Sequence, residues 1–287
     1  MIYLLLSILA STIILILFKL FDRYRVNTLQ AIVVNYIAAC GSGLITYNAP
    51  IHLNEIVSSK WFVGALLLGF LFISIFNVMA LTAQRNGLSV ASVAAKMSVI
   101  IPVVFGLYVY QESMGLQKII GIILALVAVY LTSIKSKSSI NSGKGLLLPV
   151  ILFLGSGIID TSIKYLETTY VAQNGIPIFS ATIFFFAGII GLGIVIRKSF
   201  NKTYKFDVKS IYGGIALGIV NYGSIYFLLK ALQYEGTESS TIFTINNVAI
   251  VMLSTLTGLM LFREKLYLKN WIGIFIAIIS IVLVTLS

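Results

Sequence analysis

Along most of this chain the pattern is neither the alternation of a half-buried strand nor the one-sided stripe of a surface helix. Apolar residues continue on every side for about twenty positions at a time. Short polar connections then interrupt them. Ten such runs occur, at 2–21, 28–47, 61–81, 89–110, 117–134, 145–166, 177–196, 211–230, 239–261 and 270–286. A hydrocarbon core about 30 Å thick takes about 20 helical residues to cross. Stretches such as IIGIILALVAVYL and WIGIFIAIISIVLV show no period of two, which argues against the alternating strands of a membrane barrel. The pattern predicts an all-α integral membrane protein of ten transmembrane helices, with little chain left for a soluble domain.

Composition agrees. Hydrophobic residues make up 59% of the chain and charged ones only 10%, against about 25% charged in soluble domains. The first run, MIYLLLSILASTIILILF, has no basic segment before it, so it reads as a span and not as a cleaved signal peptide. The single cysteine, Cys40, rules out an intrachain disulfide.

The net charge of +11 changes the picture less than its distribution does. Connections one, three, five, seven and nine hold Lys19, Arg23 and Arg25; Arg85; Lys135, Lys137 and Lys144; Arg197, Lys198, Lys202, Lys205 and Lys209; and Arg263, Lys265 and Lys269. The even connections hold Lys60, Lys118, Lys164 and Lys230. Basic residues collect on the cytoplasmic side, so both termini are expected outside a plasma (inner) membrane. Attraction to anionic lipid accounts for these charges with no nucleic acid partner.

The most polar segment, TSIKSKSSINSGKG, falls near the middle. It separates 1–134 from 145–287 through a basic linker at 135–144. The two parts resemble each other. Gly106, Glu112 and Gly121 in the first match Gly258, Glu264 and Gly273 in the second at a constant offset, and Gln84 and Gly87 match Gln233 and Gly236 after a short slip. Near the starts, Ser11 and Lys19 match Ser156 and Lys164, and both lysines, at span ends, read as interface anchors. Five spans per repeat is an odd number, so the halves insert in opposite orientations. Inverted repeats mark many secondary transporters, whose substrate site lies near the midplane between the halves.

These residues carry a resemblance. In GLYVYQESMGLQKIIG and GLMLFREKLYLKNWIG, a glycine ends the fourth helix of a repeat, a glutamate follows, and another glycine opens the fifth. The pattern is similar to the drug/metabolite transporter superfamily, in particular the ten-helix EamA-like transporters. Pro102 fits the family's proline in the fourth helix; the second copy has Ser254 there. The resemblance implies two inverted five-helix repeats around a central cavity, with the fifth and tenth helices standing outside as supports. It implies an exporter or exchanger of a small metabolite and no cofactor. Many ten-helix members keep both termini in the cytoplasm, and the charge distribution here departs from that.

Polar residues inside spans need a partner or a wet cavity. Lys96, in SVASVAAKMSVIIPVVF, is the costliest, at about 2.5–3.5 kcal/mol even on insertion scales. Counted along its helix it lies about 10 Å deep, and Asn35 and Asn77 are expected at a similar level. Ser89, Ser92 and Lys96 share a stripe. A second layer nearer the outside holds Asp160, Asn246 and Asn247, with Asn221 between the layers, and Tyr36, Tyr222 and Tyr226 are deep aromatics that are candidates to line a cavity. Lys96 would hold an anionic substrate group, or snorkel to the interface. Asp160 is a candidate proton-coupling carboxylate, or the partner of Lys164 one turn on. The asparagines suit a substrate and a neighbouring helix equally. Gly214 and Gly218 form a GxxxG on the eighth span, read as packing.

No HExxH, Walker A or GxSxG sequence is present, and the sole histidine, His52, lies between spans. The sequence therefore predicts no enzyme, no metal site and no ATP-driven pump. It predicts a transporter whose partners are a small-molecule substrate and the bilayer. A lipid-phosphate carrier or a non-transporting membrane scaffold is the alternative.

Overall fold

The computed structural model describes residues 2–47, 50–109, 115–133, 142–171, 175–200, 207–232 and 239–285. Tyr110, Glu112, Lys202, Lys205, Gln233, Gly236 and most of the 135–144 linker lie outside them. The described chain forms helices and no strand. In order they are α1 (Ile2–Arg23), α2 (Thr28–Thr46), α3 (Leu53–Ser58), α4 (Phe62–Arg85), α5 (Leu88–Met97), α6 (Ile100–Val109), α7 (Leu116–Ser133), α8 (Ser142–Tyr170), α9 (Ile176–Ser199), α10 (Val208–Leu232), α11 (Ser239–Phe262) and α12 (Leu268–Thr285). Seven of them, α1, α2, α4 and α8 to α11, are long and apolar enough to cross a membrane. This is the pattern of a multi-pass membrane protein. Apolar stretches at Leu88–Pro102, Ile119–Thr132 and Leu268–Leu283 are shorter.

The run at 89–110 is not one helix. It is interrupted at Ser98–Val99, between α5 and α6. Pro102 supplies the reason, because it lacks an N–H and its ring crowds the carbonyl four residues back, that of Ser98. That carbonyl instead accepts from the Ile101 N–H at 2.9 Å, a tighter turn than an α-helix. The Ser98 hydroxyl donates to the Ala95 carbonyl at 2.6 Å and satisfies one end of α5.

The helices form two compact units, and each draws on both halves of the sequence. One comprises Met1–Leu20, Val78–Ile158 and Gly223–Ser287; the other comprises Phe21–Asn77 and Ile159–Tyr222. In the first unit α7 and α12 pack side by side. The Ser280 hydroxyl donates to the Gly121 carbonyl at 2.7 Å, and the Asn270 amide donates to the Leu131 and Thr132 carbonyls at 3.3 and 3.0 Å. The Gln117 amide reaches the Leu283 carbonyl at 3.3 Å. Contacts that climb one helix as they descend the other make the pair antiparallel. A core of Val93, Met97, Ile100, Ala125, Ala128, Val251, Ala277 and Ile281 joins them to α5, α6 and α11.

In the second unit α2 is the central element. Gly188 and Gly191 of α9 lie against Ile37 and Val33, so α9 runs antiparallel to α2. Gly214 and Gly218 of α10 lie against Ala31 and Val34, then Asn35 and Ala38, so α10 runs parallel to it. Among apolar helices in lipid no hydrophobic force favours association, and close packing through small residues takes its place. Tyr36, read from sequence as a deep aromatic, is fully buried here. Its ring meets Phe72, Phe76 and Phe184, and its hydroxyl donates to the Phe72 carbonyl at 2.8 Å.

Candidate functional site

In the first unit, the stripe of Ser89, Ser92 and Lys96 follows one face of α5. Ser89 and Ser92 are buried, and Lys96 is half-buried in the last turn, where the helix stops. The Ser92 hydroxyl donates to the Ser89 carbonyl at 3.0 Å. A cation near a helix C-terminus gains about 0.3–1 kcal/mol from the peptide dipoles. The helix end thus offsets part of the cost of a lysine half-buried among apolar residues. Asn246 and Asn247 lie on α11, which packs against α5, and both are buried. The Asn246 Oδ1 and the Ser89 Oγ have no hydrogen-bond partner among the described residues. A buried polar atom in that state costs about 1–3 kcal/mol, so each is a place where a ligand or water gains by binding.

A charged junction in the same unit gathers residues that the repeat comparison had aligned. Glu264 Oε1 accepts the Leu88 N–H at 2.8 Å and so satisfies a first-turn donor of α5. Gly87, before that turn, has φ +109, and a Cβ there would lie 2.8 Å from Glu264 Oε2. A Cβ on Gly258 would lie 2.6 Å from the same oxygen. The chain reverses at Arg263, with φ 51, and the Glu264 N–H returns to the Gly258 carbonyl at 3.0 Å. Lys19 stands 3.8 Å from Glu264 and donates to the Ala83 and Gln84 carbonyls at 3.2 and 3.0 Å. The Gln84 amide donates to the Phe18 carbonyl at 2.9 Å. Gly258 and Glu264 of the motif, together with Gly87, are therefore parts of one helix cap. Sequence reading took Lys19 as an interface anchor; here it ties the end of α4 to Glu264. Its repeat alignment was the signal that could have assigned it.

In the second unit the asparagines find each other. The Asn221 Nδ2 donates to Asn35 Oδ1 at 3.2 Å, and Asn35 Nδ2 faces the Ile32 carbonyl at 3.5 Å. Asn35 is wholly buried. This is the interhelical bond that its sequence left open as one of two readings. Asn77 donates to the Ile73 carbonyl of its own helix at 2.7 Å. Tyr222 and Thr46 join hydroxyl to hydroxyl between α10 and α2. Asp160 and Lys164 are both exposed on α8.

No family model matches the chain. An uncharacterized protein of Haemophilus influenzae is 28% identical over 281 residues, covering 96% of this chain and 94% of its own. A solved crystal structure aligns with 98% of this chain and 97% of its own at a TM-score of 0.56 and 13% identity. That likeness extends over the whole chain and is one of fold.

Proposed function

We propose that this chain is a secondary transporter of the EamA-like kind, built of ten spans in two inverted five-span repeats. It moves a small polar metabolite with an anionic group by alternating access. The carrying observation is Lys96 at the interruption between α5 and α6. Discontinuous helices form the substrate sites of many secondary transporters, and an ionisable residue inside an apolar segment marks a functional site. The orphaned Asn246 Oδ1 supports a polar ligand in the same unit. The inverted relation is supported by the α7–α12 pair, where Leu131 and Leu283, matched by the repeat offset, each accept a side-chain amide from the other helix. Asp160, exposed on a span, is the coupling carboxylate of this reading. The charge distribution sets the odd connections in the cytoplasm.

Thermal unfolding of the purified protein tests this against amino acids, nucleobases, sugar phosphates and lipid phosphates. A ligand at 100 times its Kd stabilises by about 2.7 kcal/mol. An anion that stabilises the wild type and leaves Lys96→Ala unmoved is the expected result. Equal stabilisation of both proteins removes Lys96 from the site. Stabilisation by lipid phosphates alone favours a lipid carrier.

A further inference from the structure

Five cations, Arg23, Arg25, Arg197, Lys198 and Lys209, belong to connections far apart in sequence, and all are exposed. The second unit gathers them at one end. Gly188 against Ile37 and Gly191 against Val33 set the antiparallel register of α9 on α2; continued, it brings Arg197 and Lys198 level with Asn27. The start of α10 is fixed to the start of α2 by two bonds. The Asn27 N–H donates to Ser210 Oγ at 3.1 Å, and the Asp207 N–H donates to Gln30 Oε1 at 3.0 Å. Lys209 is therefore held beside the turn that carries Arg25.

Little opposes this charge. Asp207 directs Oδ1 to the Lys209 backbone N–H at 3.0 Å, Asp22 is exposed, and no acid bridges to any of the five among the described residues. Arg25 occupies a left-handed turn, φ 54, that glycine would adopt without strain. Three aromatic rings stand out from the same end: Tyr24 is 61% exposed, Phe200 82% and Tyr212 73%. Rings at such a position suit the headgroup region, where one side is apolar and the other wet. Topology alone asks for cations on one side of the membrane; it does not ask that three chain segments be pinned together.

We propose that this end of the second unit binds the headgroups of anionic phospholipids. The five cations supply the attraction and the rings seat the surface at headgroup depth. Each cation near a charged leaflet strengthens binding about fivefold, so loss of four weakens it roughly several hundredfold. The surface does not depend on the transport reading and stands if no substrate is found.

The test compares thermal unfolding in nanodiscs of phosphatidylcholine alone and of phosphatidylcholine with phosphatidylglycerol. Phosphatidylglycerol should raise the Tm of the wild type. The gain should be lost when Arg25→Gln, Arg197→Gln, Lys198→Gln and Lys209→Gln are combined, and kept when Arg25→Lys and Arg197→Lys are combined. Melting in neutral discs shows whether the fourfold variant is folded; if it is not, the Arg197→Gln, Lys198→Gln pair at the end of α9 carries the comparison, with a partial loss expected. Three results overturn the proposal. The neutralised variants keep the full gain; or Lys265→Gln with Lys269→Gln, which removes charge elsewhere, loses as much; or dissolved inorganic phosphate gives the wild type the same gain in neutral discs.

Discussion

Two junctions, one in each unit, pair glycines with a polar side chain, yet the glycines act differently. At Glu264 the space they leave is filled by a carboxylate, the far end of a flexible side chain. At Asn35 the space is filled by backbone. A Cβ on Gly214 would lie 2.6 Å from the Ala31 carbonyl oxygen, and one on Gly218 would lie 2.6 Å from the Asn35 carbonyl oxygen. A carboxylate can swing aside at the cost of one cap. A helix backbone moves only with everything packed on it. The first junction is held by charge and hydrogen bonding, the second by shape.

The largest effect should come from breaking shape. Gly218→Val drives two helices apart and should cost at least about 3 kcal/mol, the upper end for overpacking. Gly193→Ala, on α9 with nothing within 4 Å, should not destabilise and should gain up to about 1 kcal/mol from the lost freedom of the unfolded chain. Both are read by unfolding in mixed micelles, and a tolerated Gly218→Val would undo the distinction drawn between the units.

Next comes the cap. Glu264→Ala leaves the Leu88 N–H without its partner and should cost about 2 kcal/mol, as for other hydrogen bonds to charged groups. Glu264→Gln keeps an acceptor and should lose less than half as much. Lys19→Met should cost about 2 kcal/mol, chiefly because it removes the ammonium that the Ala83 and Gln84 carbonyls accept from; the longer 3.8 Å contact to Glu264 adds less. A glutamine variant as damaged as the alanine one would make the charge, and not the accepted hydrogen bond, the source of the stabilisation.

The smallest effect is the amide pair. A double-mutant cycle with Asn35→Ala and Asn221→Ala should give a coupling of about 0.6 kcal/mol, the average for interhelical hydrogen bonds in a membrane. A coupling above about 2 kcal/mol would mean that the second junction also rests on hydrogen bonding.

The hydrophobic pattern by itself determined that the chain is helical and where its helices lie. A bilayer demands long apolar runs whatever their neighbours are, and nine of the ten runs each lie along one helix. It also marked Gly258, Glu264, Gln84 and Lys19 through the repeat, and Lys96 through its cost. It did not reveal the stop at Ser98–Val99, because a proline near the start of a helix and one that interrupts a longer helix look alike in sequence. It could not choose among partners for the asparagines either. An amide that faces a substrate and one that faces another helix satisfy the same two bonds. Only the tertiary structure decided that Asn35 meets Asn221 and that Glu264 caps α5, since those pairs lie 186 and 176 residues apart. Helix periodicity reports which faces are apolar. Which chemistry comes together depends on helix crossings, and those are decided by small residues whose contacts no local pattern records.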